Sequence, residues 1–123
     1  MIISEALTII RFVIVGVMAT LTHLLLATAM LALKTGMSVF LVNFFSFCGA
    51  FPISYFGHRN FTFGTLGSGR KFALAAVGGF LANTFLLRLV ISILNIGGLA
   101  AIVISTLTVP IFIYIVSRLW IFR

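Results

Sequence analysis

Four apolar runs, each long enough to cross a lipid bilayer as a helix, occupy most of this 123-residue chain. Crossing roughly 30 Å of hydrocarbon takes about 20 helical residues, and the runs lie at residues 12–33, 37–57, 72–94 and 99–117. They are continuously apolar, without the in-and-out alternation typical of a membrane β-barrel. The sequence therefore predicts an all-α membrane protein, with residues 1–123 forming a single domain of four transmembrane helices.

The composition and the charge distribution both indicate that lipid, rather than water, surrounds the chain. Hydrophobic residues make up 63% of the sequence and charged residues only 7%, whereas a soluble domain is about 25% charged. The net charge of +7 comes from eight Lys and Arg residues against one acid, Glu5. Most of the bases stand near the ends of apolar runs and are not clustered on one domain, which favours membrane lipids as contacts and no nucleic-acid partner.

The lengths of the links and the positions of the bases predict how the helices are arranged. Links at 34–36 and 95–98 are too short for anything but two tight antiparallel hairpins, and a longer glycine-rich link at 58–71 joins them. Only Lys34 lies on the side away from the termini. The side that holds both termini carries Arg11, Arg59, Arg70, Lys71, Arg118 and Arg123. By the positive-inside rule we expect both termini in the cytoplasm and the chain in the cytoplasmic membrane.

The two predicted hairpins share motifs at an offset of about sixty residues, with the first copy at about 11–63 and the second at about 71–123. Each opens with a base followed by Phe, and each ends with Tyr, three residues, Arg and alternating aromatic residues. The paired positions are Arg11 with Lys71, His23 with Asn83, Tyr55 with Tyr114, and Arg59 with Arg118. The shared motifs predict a duplication, and because a hairpin returns the chain to its starting side, the two copies form a parallel repeat. The alternative is that any two membrane hairpins share basic and aromatic ends.

These motifs resemble those of the GtrA-like family of small four-helix membrane proteins, and the resemblance covers nearly the whole chain. It rests on the order and spacing of short motifs: Arg11-Phe12 with Gly16, Tyr55 with Arg59-Asn-Phe-Thr-Phe63, Lys71-Phe72, and Ser117-Arg-Leu-Trp-Ile-Phe122. The sequence departs from the family pattern at His58, where an amide is more usual, and at Lys71, where Arg is.

The resemblance implies a role with sugars linked to polyprenyl phosphate. Family members are associated with moving such lipids from the cytoplasmic to the outer leaflet, where the sugar modifies a cell-surface polysaccharide. A membrane glycosyltransferase that makes the polyprenyl-phosphate sugar is the implied protein partner.

Bases at four comparable helix ends are the first candidates for a phosphate site. They are Arg11, Arg59, Lys71 and Arg118. Converging arginines can bind phosphate oxygens through charge-assisted, bidentate hydrogen bonds. The alternative is that these bases only fix the topology, with Tyr55 and Tyr114 in the interfacial aromatic belt.

Arg88 is a fifth candidate for phosphate binding, because it lies inside the third apolar run, roughly 9 Å from its outer end at the helical rise. Thr84, Arg88 and Ser92 are spaced to share one helix face. A charge at that depth is expensive unless it faces protein or water, and it marks a functional candidate by default. The alternative is that Arg88 snorkels to the outer headgroups.

Polar side chains of the apolar runs are candidates for lining a substrate path. His23 and Asn83 lie near the midplane of the first and third runs, and Asn43 lies on the second. A polar group in hydrocarbon needs a partner, so we expect these side chains to face the bundle. The alternative is that they are interhelical hydrogen bonds that only hold the helices together. The rest of the predicted lining is Tyr55, Thr84, Ser92 and Tyr114.

The sequence contains no carboxylate pair, no nucleophile beside a base and no metal-ligand spacing, so we expect no enzyme activity, no metal and no cofactor. The leading interpretation is translocation of a polyprenyl-phosphate sugar by a homo-oligomer, since four short helices enclose little room. A membrane anchor or regulatory subunit of a glycosyltransferase is the first alternative. A small proton-coupled exporter is the second, but it would need an intramembrane carboxylate that no run contains.

The topology gives the first prediction. A tag at either terminus should be protected from membrane-impermeant reagents in intact cells, while a cysteine placed at Thr35 should be labelled from outside. Labelling of a cysteine within residues 59–71 from outside would contradict the orientation.

Overall fold

The described part of the chain folds into four α-helices. The computed structural model describes the backbone of residues 2–34, 36–63 and 69–116, and their side chains other than those at 63, 69, 72 and 113–116. The helices are α1 (Ile2–Ala32), α2 (Val39–Phe56), α3 (Gly69–Leu94) and α4 (Gly98–Val116). Those described ranges contain no β-strand, so the prediction of an all-α chain with four helices is confirmed.

Among the described residues, three helical stretches are long and apolar enough to cross a membrane: Ile2–Ala32, Val39–Thr62 and Ala73–Leu94. The apolar stretch Gly98–Phe112 within α4 is shorter, and the crossing of α4 stays a prediction. Helices suit this environment because every backbone N–H and C=O inside them is paired without water.

Two helix boundaries differ from the predicted spans. Helix α1 begins at Ile2 rather than at residue 12, because the residues before Arg11 are mostly apolar and Thr8 Oγ1 donates a hydrogen bond (2.9 Å) to the carbonyl of Ser4 within the helix. The link predicted at 58–71 is partly helical. Gly57–Phe63 continues α2 as a π-helix, called the π segment below, and α3 already begins at Gly69.

Left-handed backbone conformations reverse the chain between the helices of each hairpin. Lys34 and Gly36 have φ of 49° and 74° in the first link, and Asn95 and Gly98 have φ of 52° and 65° in the second. Glycine takes such angles without steric cost, and Asn tolerates them better than most residues. The short links predicted from the sequence therefore contain the residue types that sharp reversal needs.

Packing is most extensive within each hairpin, α1 along α2 and α3 along α4. The hairpins meet mainly through α1 and α4, while α2 and α3 contact each other less. A core to which all four helices contribute is formed by Ala27, Val42, Leu87, Ala101 and Ile102. Two of these residues are alanines, which let helices approach closely where lipid supplies no hydrophobic driving force between them.

Several buried positions recur at the sixty-residue offset seen in the sequence. The pairs are Val15 with Ala75, His23 with Asn83, Ala27 with Leu87, Val42 with Ile102, and Ser46 with Thr106. Both hairpins thus bury side chains at equivalent positions of their first and second helices. This agreement is what a duplicated hairpin would give, and the duplication itself stays a prediction.

Candidate functional site

A hydrogen-bonded chain of three polar side chains crosses the interior of the bundle. His23 Nε2 lies 2.9 Å from Asn43 Oδ1, and Asn43 Nδ2 donates to Asn83 Oδ1 at 2.5 Å. The three residues come from α1, α2 and α3, and their exposures of 6%, 1% and 4% place all of them inside the protein. We call this set the polar chain.

The amide of Asn43 decides the direction of both hydrogen bonds. Its oxygen can only accept, so His23 must carry a proton on Nε2 and donate it. Its nitrogen then serves as donor to Asn83, in the other hairpin. Neither His23 Nδ1 nor the Asn83 amide nitrogen bonds another residue in the described ranges. The polar chain therefore ends in an acceptor on one side and a donor on the other.

Further polar groups are buried on α2, α3 and α4. Ser46 and Ser105 donate their hydroxyls to carbonyls of their own helices, at 2.7 and 3.0 Å. Thr84 and Thr106 differ, because their buried hydroxyl oxygens have no hydrogen-bond partner among the described residues. An unpaired hydroxyl buried in this way costs free energy unless water or a ligand reaches it.

One end of the bundle, which carries Arg11 and Arg59, is built by contacts between α1 and the π segment. The Phe12 ring stacks on the His58 ring with centroids 4.5 Å apart, and His58 Nδ1 lies 3.2 Å from Thr62 Oγ1. The guanidinium carbon of Arg11 lies 5.5 Å from the centroid of the Phe61 ring. We call this the basic end.

The close fit of the π segment on α1 depends on Gly57. A Cβ at this position would lie 2.6 Å from Cγ1 of Val15, which is buried and short. Hydrogen is therefore the only side chain that fits without a shift of one helix. This approach holds the π segment, with Arg59 exposed on it, beside α1.

Of the predicted phosphate-binding residues, Arg11 and Arg59 lie on the two elements that meet at the basic end, and both are exposed. Lys71 is also exposed, near the start of α3. Arg118 lies outside the described residues, and of Tyr114 the structure describes only the backbone, in α4.

The predicted face around Arg88 is divided by the structure. The Thr84 hydroxyl is buried, whereas Arg88 and Ser92 are exposed on the outward side of α3, which they share with Leu81 and Phe85. The Ser92 hydroxyl donates to the carbonyl of Arg88 at 2.8 Å. Arg88 therefore lies on the outer surface of the single chain and not in its interior.

Sequence reasoning selected His23, Asn43 and Asn83 separately, and the structure brings all three together. It missed the buried pair His58 and Thr62, which had been counted as part of a link. Their spacing of four residues, one turn apart, was the available signal. It also missed the buried Thr106, for which the offset from Ser46 was a signal.

Comparison with known families decides the assignment. The family described as "GtrA/DPMS, transmembrane domain" matches residues 11–122. The chain belongs to this family. The match confirms the resemblance found in the sequence and, with the apolar helices, a membrane protein. No curated protein and no solved structure matches the chain significantly.

The polar chain gives the second prediction, for stability in detergent. Asn43→Leu removes both hydrogen bonds and leaves His23 and Asn83 buried without a partner, so the free energy of unfolding should fall by roughly 1–3 kcal/mol. A double-mutant cycle with His23→Leu and Asn43→Leu should show a coupling of about 0.6 kcal/mol, the average for hydrogen bonds between membrane helices.

Ser46→Ala provides the matched control, because the Ser46 hydroxyl bonds only its own helix. His23 and Ser46 should show no coupling in the same measurement. Additive effects of His23→Leu and Asn43→Leu would contradict the polar chain.

Proposed function

We propose that this member of the GtrA/DPMS family translocates a polyprenyl-phosphate-linked monosaccharide from the inner to the outer leaflet of the cytoplasmic membrane. The sugar would serve the synthesis or modification of a cell-surface polysaccharide. The observation that carries the proposal is the polar chain, buried inside helices that are otherwise apolar. Polar groups in such helices are rare and costly, and they mark substrate paths by default.

The polar chain offers a sugar the kind of contacts that it loses on leaving water. A hydroxyl can both donate and accept, so it can meet the free His23 Nδ1 and the Asn83 amide in turn. The unpaired hydroxyls of Thr84 and Thr106 add further partners. Moving a hydroxyl into hydrocarbon without such compensation costs roughly 4–8 kcal/mol on a cyclohexane reference. A path lined by exchangeable hydrogen bonds lowers that barrier.

The basic end is suited to receive the phosphate. Arg11 and Arg59 carry planar guanidinium groups, whose geometry matches the oxygens of a phosphate. The Phe61 ring beside Arg11 limits the positions of that side chain without neutralising it. We place the entry site here, with Lys71 and Arg118 as further contributors and Tyr55 and Tyr114 at the same helix ends.

Arg88 and Ser92 would act toward the opposite leaflet. Both are exposed on α3, where a phosphate arriving in the outer leaflet could replace the lipid headgroup that a snorkelling arginine otherwise contacts. A homo-oligomer would give Arg88 a protein surface to face, and it would enlarge the space for the sugar beyond what one chain encloses.

A membrane anchor or regulatory subunit of a polyprenyl-phosphate glycosyltransferase is the second candidate function. The description of the family as a transmembrane domain favours it, because such a domain can serve by positioning a partner enzyme. In either function a glycosyltransferase would supply the lipid-linked sugar. The proton-coupled exporter gains no support, because the only acid in the sequence is Glu5, near the start of α1.

Transport by the purified protein gives the third prediction. Vesicles that contain this protein alone should move a polyprenyl-phosphate sugar between leaflets, measured as the fraction open to a membrane-impermeant oxidant. Arg59→Ala should slow transport roughly ten- to a hundredfold, since a hydrogen bond to a charged group contributes roughly 1.5–3 kcal/mol. Arg59→Lys should restore part of the rate, because Lys keeps the charge but cannot form the bidentate hydrogen bonds of a planar guanidinium group.

Lys34→Ala is the matched control, because it removes an exposed base at the opposite end of the bundle and should leave the rate unchanged. Normal transport by Arg59→Ala would reduce Arg59 to a topology anchor. No transport by the wild-type protein alone would favour the glycosyltransferase subunit instead.

A further inference from the structure

A row of aromatic rings follows one face of α2. Phe44, Phe47, Phe51 and Tyr55 recur at spacings of three and four residues, which places them on one side of a helix. Ring centroids are 6.1 Å apart both for Phe47 with Phe51 and for Phe51 with Tyr55. Phe80 of α3 joins them, at 4.7 Å from Phe47 and 5.7 Å from Phe44. We call these five residues the aromatic row.

The aromatic row is accessible from the side of the bundle. Phe47, Phe51, Tyr55 and Phe80 are half-buried, and Phe44 is 43% exposed. The row lies where α2 faces α3, a contact less extensive than that between α1 and α4. An apolar chain in the surrounding lipid can therefore lie against these rings without any opening of the helices.

The chemistry of this surface differs from that of the neighbouring lipid-facing surface on α1. There the exposed side chains are aliphatic, among them Ile10, Ile14, Val17, Leu21 and Leu25. Straight acyl chains of ordinary lipids pack on such a surface without any aromatic ring. Ring faces instead carry a negative quadrupole that attracts the positive edges of C–H groups and of other π systems. An isoprenoid chain, with regular methyl branches and double bonds, presents both.

A base stands one turn beyond the basic-end terminus of the aromatic row. Arg59 follows Tyr55 by four residues and is exposed. Within the described ranges it has no carboxylate, hydrogen-bond or ring partner. The row and Arg59 together match an amphiphile with an anionic head at the basic end and an unsaturated, branched tail along α2.

We propose that the aromatic row binds the isoprenoid chain of a polyprenyl phosphate whose phosphate lies at Arg59. This inference takes its substrate class from the proposed function and assigns the part of the protein that holds the tail. The aromatic row would thus form a track for the tail that is open to lipid, while the polar chain inside the bundle would bind the sugar. Selection for a polyprenyl lipid over an ordinary phospholipid then resides in the rings of α2 and α3.

The test compares two phosphate lipids that differ in their tails. Binding of undecaprenyl monophosphate and of saturated phosphatidic acid is measured for the full chain in nanodiscs, and circular dichroism of the same samples checks that each variant is folded. Phe47→Leu combined with Phe51→Leu keeps the surface apolar but removes two rings. This double variant should bind undecaprenyl phosphate about tenfold more weakly and phosphatidic acid with unchanged affinity. Phe85→Leu is the matched control, since Phe85 is 63% exposed on α3 and is not in the row, and it should bind both lipids normally.

Unchanged undecaprenyl phosphate binding by the double variant would contradict the proposal that the aromatic row binds the isoprenoid tail. So would an equal loss of both lipids, or no undecaprenyl phosphate binding by the wild-type protein. Photocrosslinking adds a measurement that needs no variant. A diazirine on the polyprenyl tail should label tryptic peptides 35–59 and 72–88 of the wild-type protein, and label mainly on peptide 12–34 would overturn the proposal.

Transport measurements separate this inference from the proposed function. They use the same purified proteins, reconstituted into vesicles. Ring-dependent binding without any transport would contradict translocation but leave the tail site in place. Transport by the wild-type protein together with normal binding by the double variant would leave translocation in place and refute the track.

Discussion

The amide of Asn43 is the interaction on which the interior of this protein depends. It accepts a hydrogen bond from the imidazole of His23 in its own hairpin and donates one to Asn83 in the other. In hydrocarbon no water can replace either partner, so the positions of α1, α2 and α3 are tied to one another through a single side chain. The core of small and aliphatic residues packs around that fixed register, with contributions from all four helices.

The rest of the bundle divides according to the two halves of an amphiphile. Bases and rings at the basic end are held by the fit of the π segment on α1, where Phe12 stacks on His58 and Gly57 meets Val15. The polar chain lies in the interior, and aromatic residues line α2 where it faces α3. A headgroup and a tail would therefore meet different surfaces of one small protein, which is the arrangement that a lipid-linked sugar requires.

Much of the fold could be predicted from the sequence, because lipid permits little besides helices for long apolar runs. The short links and the burial of His23, Asn43 and Asn83 followed from the same constraint. The pairing of Asn43 with Asn83 could not be predicted, because it depends on how one hairpin packs against the other. The π segment was hidden for a different reason: Gly57 and the polar residues after it resemble a link, and only the contacts with α1 show why they stay helical.

The outward position of Arg88 also could not be predicted from the sequence. Helical spacing shows which residues share a face, but it does not show whether that face points to protein or to lipid. Thr84 and Arg88 are four residues apart, yet the Thr84 hydroxyl is buried while Arg88 is exposed. A helix face is broad enough to meet both protein and lipid at its edges. The side toward which Arg88 points is therefore set by how the neighbouring helices pack on α3.

If the polar chain serves the substrate as well as the packing of the helices, one variant separates the two roles. His23→Leu, Asn43→Leu and Asn83→Leu together remove every member, so no buried partner is left unpaired, and such a complete replacement is close to neutral for stability. The measurement is transport of a polyprenyl-phosphate sugar in vesicles, normalised to folded protein. We expect the triple variant to fold but to transport no polyprenyl-phosphate sugar. Transport at the wild-type rate by the triple variant would contradict a role of the polar chain in transport.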